Sequence, residues 1–363
     1  MSTSDLAELT GHVLPVMVFL IMITIVAEIA DMAGVFDVAG HWAARAGRHR
    51  TWLLWLLVVA LSTVCTIVLS LDTTAVLLTP VVIAVARQVG VRPMPFAVTT
   101  VWLANTASLL LPVSNLTNLL ALHRFSGLGL TLHDYIALTW RPALAAVVAT
   151  AVVIAVLHRH DLRGTYAIEP PADPHDRTLL IVAATVCVAL GPAFVSGVMP
   201  AIPAAVGAAV LLATLAVRRR EMLREVTVPW LMVGAVTVLL VVVEIAGQHG
   251  MHRHLAGLTG TGTDAADLWQ VSAAGAVTSN VVNNLPAYLA LERLTIDDPH
   301  RLVALLIGTN LGPIVTVWGS LATLLWRERC RRAGLEIPLA AFALRSALCA
   351  IVVVAAATTA LTL

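Results

Sequence analysis

The feature that most constrains this chain is a set of apolar runs of membrane-crossing length, several of them broken in the middle by polar residues. Uninterrupted runs of about 20 residues, the length that crosses hydrocarbon, lie near 12–31, 178–197, 228–247 and 339–362. Shorter ones occupy 141–157 and 201–217. The stretches 51–88, 96–122, 266–294 and 302–326 are apolar too, but each carries a polar cluster near its centre. With 59% hydrophobic and 12% charged residues, the chain has too little polar surface to clothe a soluble domain. It reads as an all-α polytopic membrane protein.

The interruptions recur in order. "EIADMAGVF" (28–36) resembles "EIAGQHGMH" (244–252), and "LDTTAVL" (71–77) takes the place of "NNLPAYL" (283–289). "NTASLLLPVSNLTNLL" (105–120) aligns without gaps on "NLGPIVTVWGSLATLL" (310–325). The offsets of 216, 212 and 205 fall steadily, as a diverged internal repeat requires. The expected organisation is a first transmembrane repeat over 1–157, a charged, proline-rich cytoplasmic linker over 158–177, and a second transmembrane repeat over 178–363. Each repeat would contain one re-entrant hairpin followed by one broken transmembrane helix.

Arginine placement orients this arrangement. All 22 basic residues are arginine, and 17 of them fall on one face. Only Arg124, Arg141, Arg253, Arg293 and Arg301 fall on the other. The rich face is then cytoplasmic, the two repeats are inverted, and both termini lie outside after eight crossings. The absence of lysine beside abundant Ala, Val and Leu points to a GC-rich bacterial genome, hence a multi-pass protein of the bacterial cytoplasmic (inner) membrane. "MSTSDLAELTGH" has no basic n-region, so the first run reads as a spanning helix rather than a cleaved signal.

Non-helical backbone survives at membrane depth only where protein or a watery cavity surrounds it. Four breaks are therefore expected to meet at the midplane. Two are hairpin tips, Asp72-Thr73-Thr74 and Asn283-Asn284-Leu285-Pro286; two are broken helices, at 111–115 and 316–320. Ser114, Asn115, Asn118, Thr316 and Ser320, with Thr73, Asn283 and Asn284 at the tips, can line a site for a small polar solute. They can equally satisfy the broken backbone around them. Pro112, Pro286, Gly312 and Gly319 shape the backbone. Asp72 is the ionisable residue expected to carry protons or touch substrate, since a charge at this depth is costly; capping the following half-helix is its structural alternative. Glu28 and Glu244 occupy corresponding positions and can relay protons, or sit solvated and ion-paired at the interfaces.

"SNVVNNLPA" followed by "GTNLGPIVTVWGSLATLLW" strongly resembles the arsenite/antimonite efflux permease family, within the ion transporter superfamily, and "NTASLLLPVSNLTNLL" resembles the matching first-repeat motif. The similarity runs over roughly 12–362. It implies a scaffold domain and a moving transport domain that extrude arsenite or antimonite in exchange for protons. A soluble ATPase subunit docks on some members, and a homodimer is left open. Family members usually begin with about two more transmembrane helices, so the first repeat is expected to lack two scaffold helices. Asn105 and Asn310 stand where some arsenite pumps carry Asp, and Val317 stands for a frequent proline. A superfamily relative moving an anion such as a dicarboxylate, or exchanging sodium for protons, is the alternative; a receptor-like subunit that no longer transports is a third.

Other classes find no support in the residues. There is no phosphate-gripping glycine-rich motif, no nucleophile–base pair, no nucleic-acid face, and nothing that calls for a cofactor or a metal. Cys65, Cys187, Cys330 and Cys349 lack CxxC spacing and sit mostly in apolar runs, as packing residues. His249, His252 and His254 read as a solvated outer loop.

Overall fold

A long apolar run in a bilayer satisfies its own backbone only as a helix, and the computed structural model folds these runs that way. It describes residues 3–167, 176–195, 201–226, 262–292 and 298–363, with a few isolated positions between them. The helices are α1 (Thr3–Met32), α2 (Val35–Ala46), α3 (Thr51–Val68), α4 (Leu71–Gln88), α5 (Met94–Thr106), α6 (Leu116–Gly127) and α7 (Leu132–Leu157). After the linker come α8 (Arg177–Val195), α9 (Ala201–Arg218), α10 (Ala265–Val282), α11 (Asn284–Glu292), α12 (Pro299–Leu311), α13 (Leu321–Arg332) and α14 (Leu339–Thr362). The expected run at 228–247, the histidine loop and Glu244 lie outside the described residues.

Helix starts follow local chemistry. The capping box of Thr131 and Asp134 starts α7 at Leu132, nine residues before the apolar run at 141 begins. Apolarity alone hid that polar first turn. Gly34, at φ +79°, turns the chain out of α1 into α2, a helix outside the apolar runs; α2 packs along α4. The expected linker is also more ordered than its composition implied. Tyr166 donates its hydroxyl to the Ala44 carbonyl at 2.7 Å and its N–H to His49 O at 3.0 Å. Residues 158–167 are thereby strapped to the α2–α3 turn. Asp176 caps α8 and pairs with Arg218 at 3.0 Å, and that guanidinium holds its carboxyl below the usual range.

Packing contacts recur in pairs. α3 lies on α5 as α10 lies on α12, and α5 meets α7 as α12 meets α14. α4 contacts α13 while α11 contacts α6, and α7 and α14 pack against each other. α1, α8 and α9 form a separate layer against this assembly. Among the described residues, Thr51–Val68, Leu71–Gln88, Leu132–Leu157, Ala201–Arg218 and Leu339–Thr362 are long and apolar enough to cross a membrane. Large apolar side chains such as Val156, Val217, Leu344 and Ile351 face outward from this set.

Candidate functional site

The junctions at the two expected tips share one unusual backbone conformation. Ser70 adopts φ 147°, ψ 165°, and Asn283 adopts φ 85°, ψ 155°. Both lie in a region that only glycine enters freely, at a cost of roughly 1–3 kcal/mol each. The break is therefore at Ser70, two residues before the expected Asp72-Thr73-Thr74. Asp72 and Thr73 form the first turn of α4, and Thr74 begins a π-helical stretch over Thr74–Leu78. Ser70 Oγ accepts from the Thr73 N–H at 3.2 Å, and Thr74 returns its hydroxyl to Ser70 O at 2.9 Å. Asp72 caps nothing; its Oδ1 is buried with no hydrogen-bond partner.

The second tip is bound differently. Asn283 donates its amide to Trp318 O at 2.8 Å, and the Asn284 N–H donates to Gly319 O at 2.8 Å. Thr316 donates its N–H to Asn280 Oδ1 at 3.0 Å and its hydroxyl to Asn280 O at 3.0 Å. Asn280 Nδ2 reaches Gly312 O at 2.8 Å. Tip and broken helix are thus joined by backbone carbonyls and amides. In the first half the corresponding link is one bond, from Ser114 Oγ to Ile67 O at 2.9 Å.

A third cluster crosses between halves. Asn310, at the end of α12, accepts at Oδ1 from Thr117 Oγ1 (2.7 Å) and from Asn115 Nδ2 (3.1 Å). Its own amide donates to Asn118 Oδ1 at 2.6 Å, and Asn118 donates onward to Ser108 O and Leu111 O. All four side chains are buried. Ser320 caps α13 by accepting from the Thr323 N–H at 3.2 Å. Asn105, which corresponds to Asn310, donates to Val101 O at 2.9 Å and leaves its buried Oδ1 unpartnered.

The breaks are closely packed. A side chain at Gly312 would overlap Ala276, and one at Gly319 would overlap Pro313 O. Gly308 abuts the Ser272 carbonyl, which lets α10 and α12 approach closely. Pro112 opens the short 3₁₀ turn Pro112–Ser114, and Pro286 lies buried in the first turn of α11, where a missing N–H costs nothing. Glu28 is away from the breaks: Arg332 donates to it, and Arg329 lies at 3.4 Å, tying α1 to α13.

Sequence reasoning set aside several residues that the structure makes central. Asn280 and Asn310 stood within quoted motifs, and an asparagine one turn from a break was the available signal. Thr117 gave no signal. The pair Arg124–Glu292, at 2.9 Å with Tyr288 donating to the same carboxylate at 3.1 Å, joins α6 to α11. The Glu292 side chain in that pair is nearly buried.

The citrate transporter family (CitMHS) matches residues 3–296. An arsenical pump membrane protein of Escherichia coli is 31% identical over 333 residues, covering 84% of this chain and 76% of the relative. One from Yersinia enterocolitica is 30% identical over 335 residues, with the same coverage. An uncharacterized transporter of Mycobacterium tuberculosis is 26% identical over 357 residues, covering 90% and 81%. The crystal structure of the YdaH transporter of Alcanivorax borkumensis superposes with a TM-score of 0.49 at 16% identity, over 99% of this chain and 87% of that one.

Proposed function

The chain belongs to the citrate transporter family, whose members are membrane transporters and not enzymes, and from that premise we propose that it extrudes arsenite or antimonite in exchange for protons by alternating access. The observation that carries this reading is the buried meeting of broken backbone from both halves, where Asn115 and Thr117 bond Asn310. Residues around the four breaks are neutral apart from Asp72. A neutral trihydroxide needs such a donor and acceptor lining, whereas a dianion would find no arginine there.

In this proposal 1–157 and 178–363 are inverted repeats joined by 158–177. The segments 51–88 and 266–292 are re-entrant hairpins. The bond from Ser114 to Ile67 O supports that, since it ties the first tip to the middle of 94–127 rather than to an end. The arginine-rich face is cytoplasmic, both termini are outside, and the membrane is the bacterial inner one. Asp72 is the proton carrier, and Thr73, Ser114, Asn115, Asn284 and Ser320 frame the substrate. Asn118, Asn283 and Thr316 complete that lining, bonded to the broken backbone and to Asn280.

The family's description favours a second reading, in which the cargo is a carboxylate anion; a relative that couples such an anion, or protons, to sodium belongs to that reading. Expression in an arsenite-sensitive bacterium separates the two. Arsenite tolerance should rise and cell arsenic fall. Unchanged tolerance with the protein present in the membrane, together with sodium-stimulated dicarboxylate flux, would establish the second reading instead.

A further inference from the structure

The turn joining α2 to α3 holds two consecutive residues in left-handed backbone, Arg48 at φ 48° and His49 at φ 61°. Residues other than glycine keep such conformations only where their surroundings impose them. Here the strap at 164–166 does so. Gly164 O accepts from the Thr51 N–H at 3.2 Å, and His49 Nδ1 donates to Tyr166 O at 3.1 Å. Gly47 lies under the Tyr166 hydroxyl, where a Cβ would overlap it. The turn is therefore fixed from behind, and whatever it carries on its outer side is held in place.

It carries three arginines and no carboxylate. Arg45, Arg48 and Arg50 are all exposed, and their guanidinium groups have no partner among the described residues. On the same arginine-rich face Arg92, Arg218 and Arg331 each hold a carboxylate. The sequence has no acidic residue between Asp37 and Asp72, so the patch keeps its positive charge. Two tryptophans flank it. Trp42, 68% exposed, lies one turn ahead of Arg45, on the side of α2 turned away from buried Phe36 and Ala44. Trp52, 45% exposed, lies two residues past Arg50 in the first turn of α3. Since α3 is apolar and long enough to cross a membrane, that first turn lies at the boundary between hydrocarbon and water.

Indole rings settle at headgroup depth, and a guanidinium pairs two N–H groups with two phosphate oxygens. We propose that the α2–α3 turn is a docking surface for anionic phospholipid, with Arg45, Arg48 and Arg50 on the headgroup phosphates and Trp42 and Trp52 beside them at the edge of the hydrocarbon. Charge selects this occupant. A choline or ethanolamine headgroup brings its own cation to each phosphate, whereas a glycerol headgroup leaves the phosphate to the arginines.

The test uses the full chain purified in dodecyl maltoside. Dioleoyl phosphatidylglycerol and dioleoyl phosphatidylcholine are titrated separately, with melting temperature and native mass spectrometry as readouts. Phosphatidylglycerol should raise the melting temperature and bind about tenfold or more tighter than phosphatidylcholine, and sodium chloride at about 0.5 M should remove most of that preference. Arg45→Gln, Arg48→Gln and Arg50→Gln together should abolish it, with melting in phosphatidylcholine equal to the parent's because all three side chains are exposed and unbonded. Arg45→Gln alone should weaken it a few-fold. The three changes to Lys, which keep the charge, should retain most of it. Arg220→Gln with Arg224→Gln, at exposed positions elsewhere on the same face, should leave it unaltered. Equal binding of the two lipids, expected of a patch that serves a soluble acidic protein instead, would overturn the proposal. So would a preference that survives the three glutamines, or one that the Arg220 and Arg224 changes remove.

Discussion

The two broken helices differ most at a pair of corresponding asparagines. Asn310 uses both ends of its amide, taking Asn115 and Thr117 on one side and giving to Asn118 on the other. Asn105 gives only to its own helix, and its acceptor oxygen is empty. The hairpin tips differ in the same sense. The second is bonded to its neighbouring break through Asn280, Asn283 and Asn284, and the first presents the unpartnered carboxylate oxygen of Asp72. A buried acceptor without a donor costs about 1–3 kcal/mol, so such groups persist where something else uses them. The lesson is a division of labour. The second half supplies a bonded frame, and the first half holds the free acceptors, which under the proposed function receive a proton or a substrate hydroxyl.

The largest effect expected from this division is on coupling. Asp72→Asn should cut pH-driven arsenite uptake into everted vesicles, the in vitro form of export, by on the order of 10²-fold, with protein level and melting temperature unchanged. If Asp72 were only structural, export would persist and stability would drop. Asn284→Ala, in the bonded half, should weaken arsenite binding yet leave pH coupling intact, because the bond that holds its tip comes from its backbone.

Next in size is stability. Asn310→Ala removes the partner of Asn115 Nδ2, Thr117 Oγ1 and Asn118 Oδ1 in the interior and should cost about 3 kcal/mol. Asn105→Ala removes one bond together with the empty acceptor, and should cost less than about 1 kcal/mol. Denaturant midpoints in detergent measure both. Equal losses at the two positions would erase the contrast between the halves.

This contrast also marks what the sequence could tell. The positions of the breaks were legible, because polar residues inside membrane-length runs are rare and recur at regular offsets. Their bonding was not. Nothing in "NTASLLL" or "NLGPIVT" says that one asparagine crosses to the other half while its counterpart folds back, since that depends on what faces it: Thr117 and Asn118 for the one, where Ala322 and Thr323 stand at the corresponding places. Asp72 was legible as a buried charge, but its place in the first turn of α4 depended on Ser70 taking a conformation that no serine prefers. The Glu28 carboxylate shows the converse. Its correspondence with Glu244 left proton relay and an interfacial ion pair both open, and could not name Arg329 and Arg332, far off in sequence, as the arginines that meet it at the joint of α1 and α13.

The smallest effect concerns the tips. Asn283 carries roughly 1–3 kcal/mol of backbone strain, offset in part by its bond to Trp318 O. Asn283→Ala keeps the strain and loses the bond, so it should destabilise by about 1 kcal/mol. Asn283→Gly loses the same bond but relieves the strain, and should come out within about 0.5 kcal/mol of the parent. Ser70→Gly sharpens the comparison. Its φ of 147° is equally disfavoured, yet its hydroxyl bonds only Thr73, accepting from the N–H and donating to Oγ1, three residues along its own segment. Relief of strain should there match or exceed the lost cap, leaving the melting temperature level or slightly raised. A clear loss of stability in Ser70→Gly would mean that the first tip is braced by its hydroxyl after all. The two halves would then differ less than their bonding indicates.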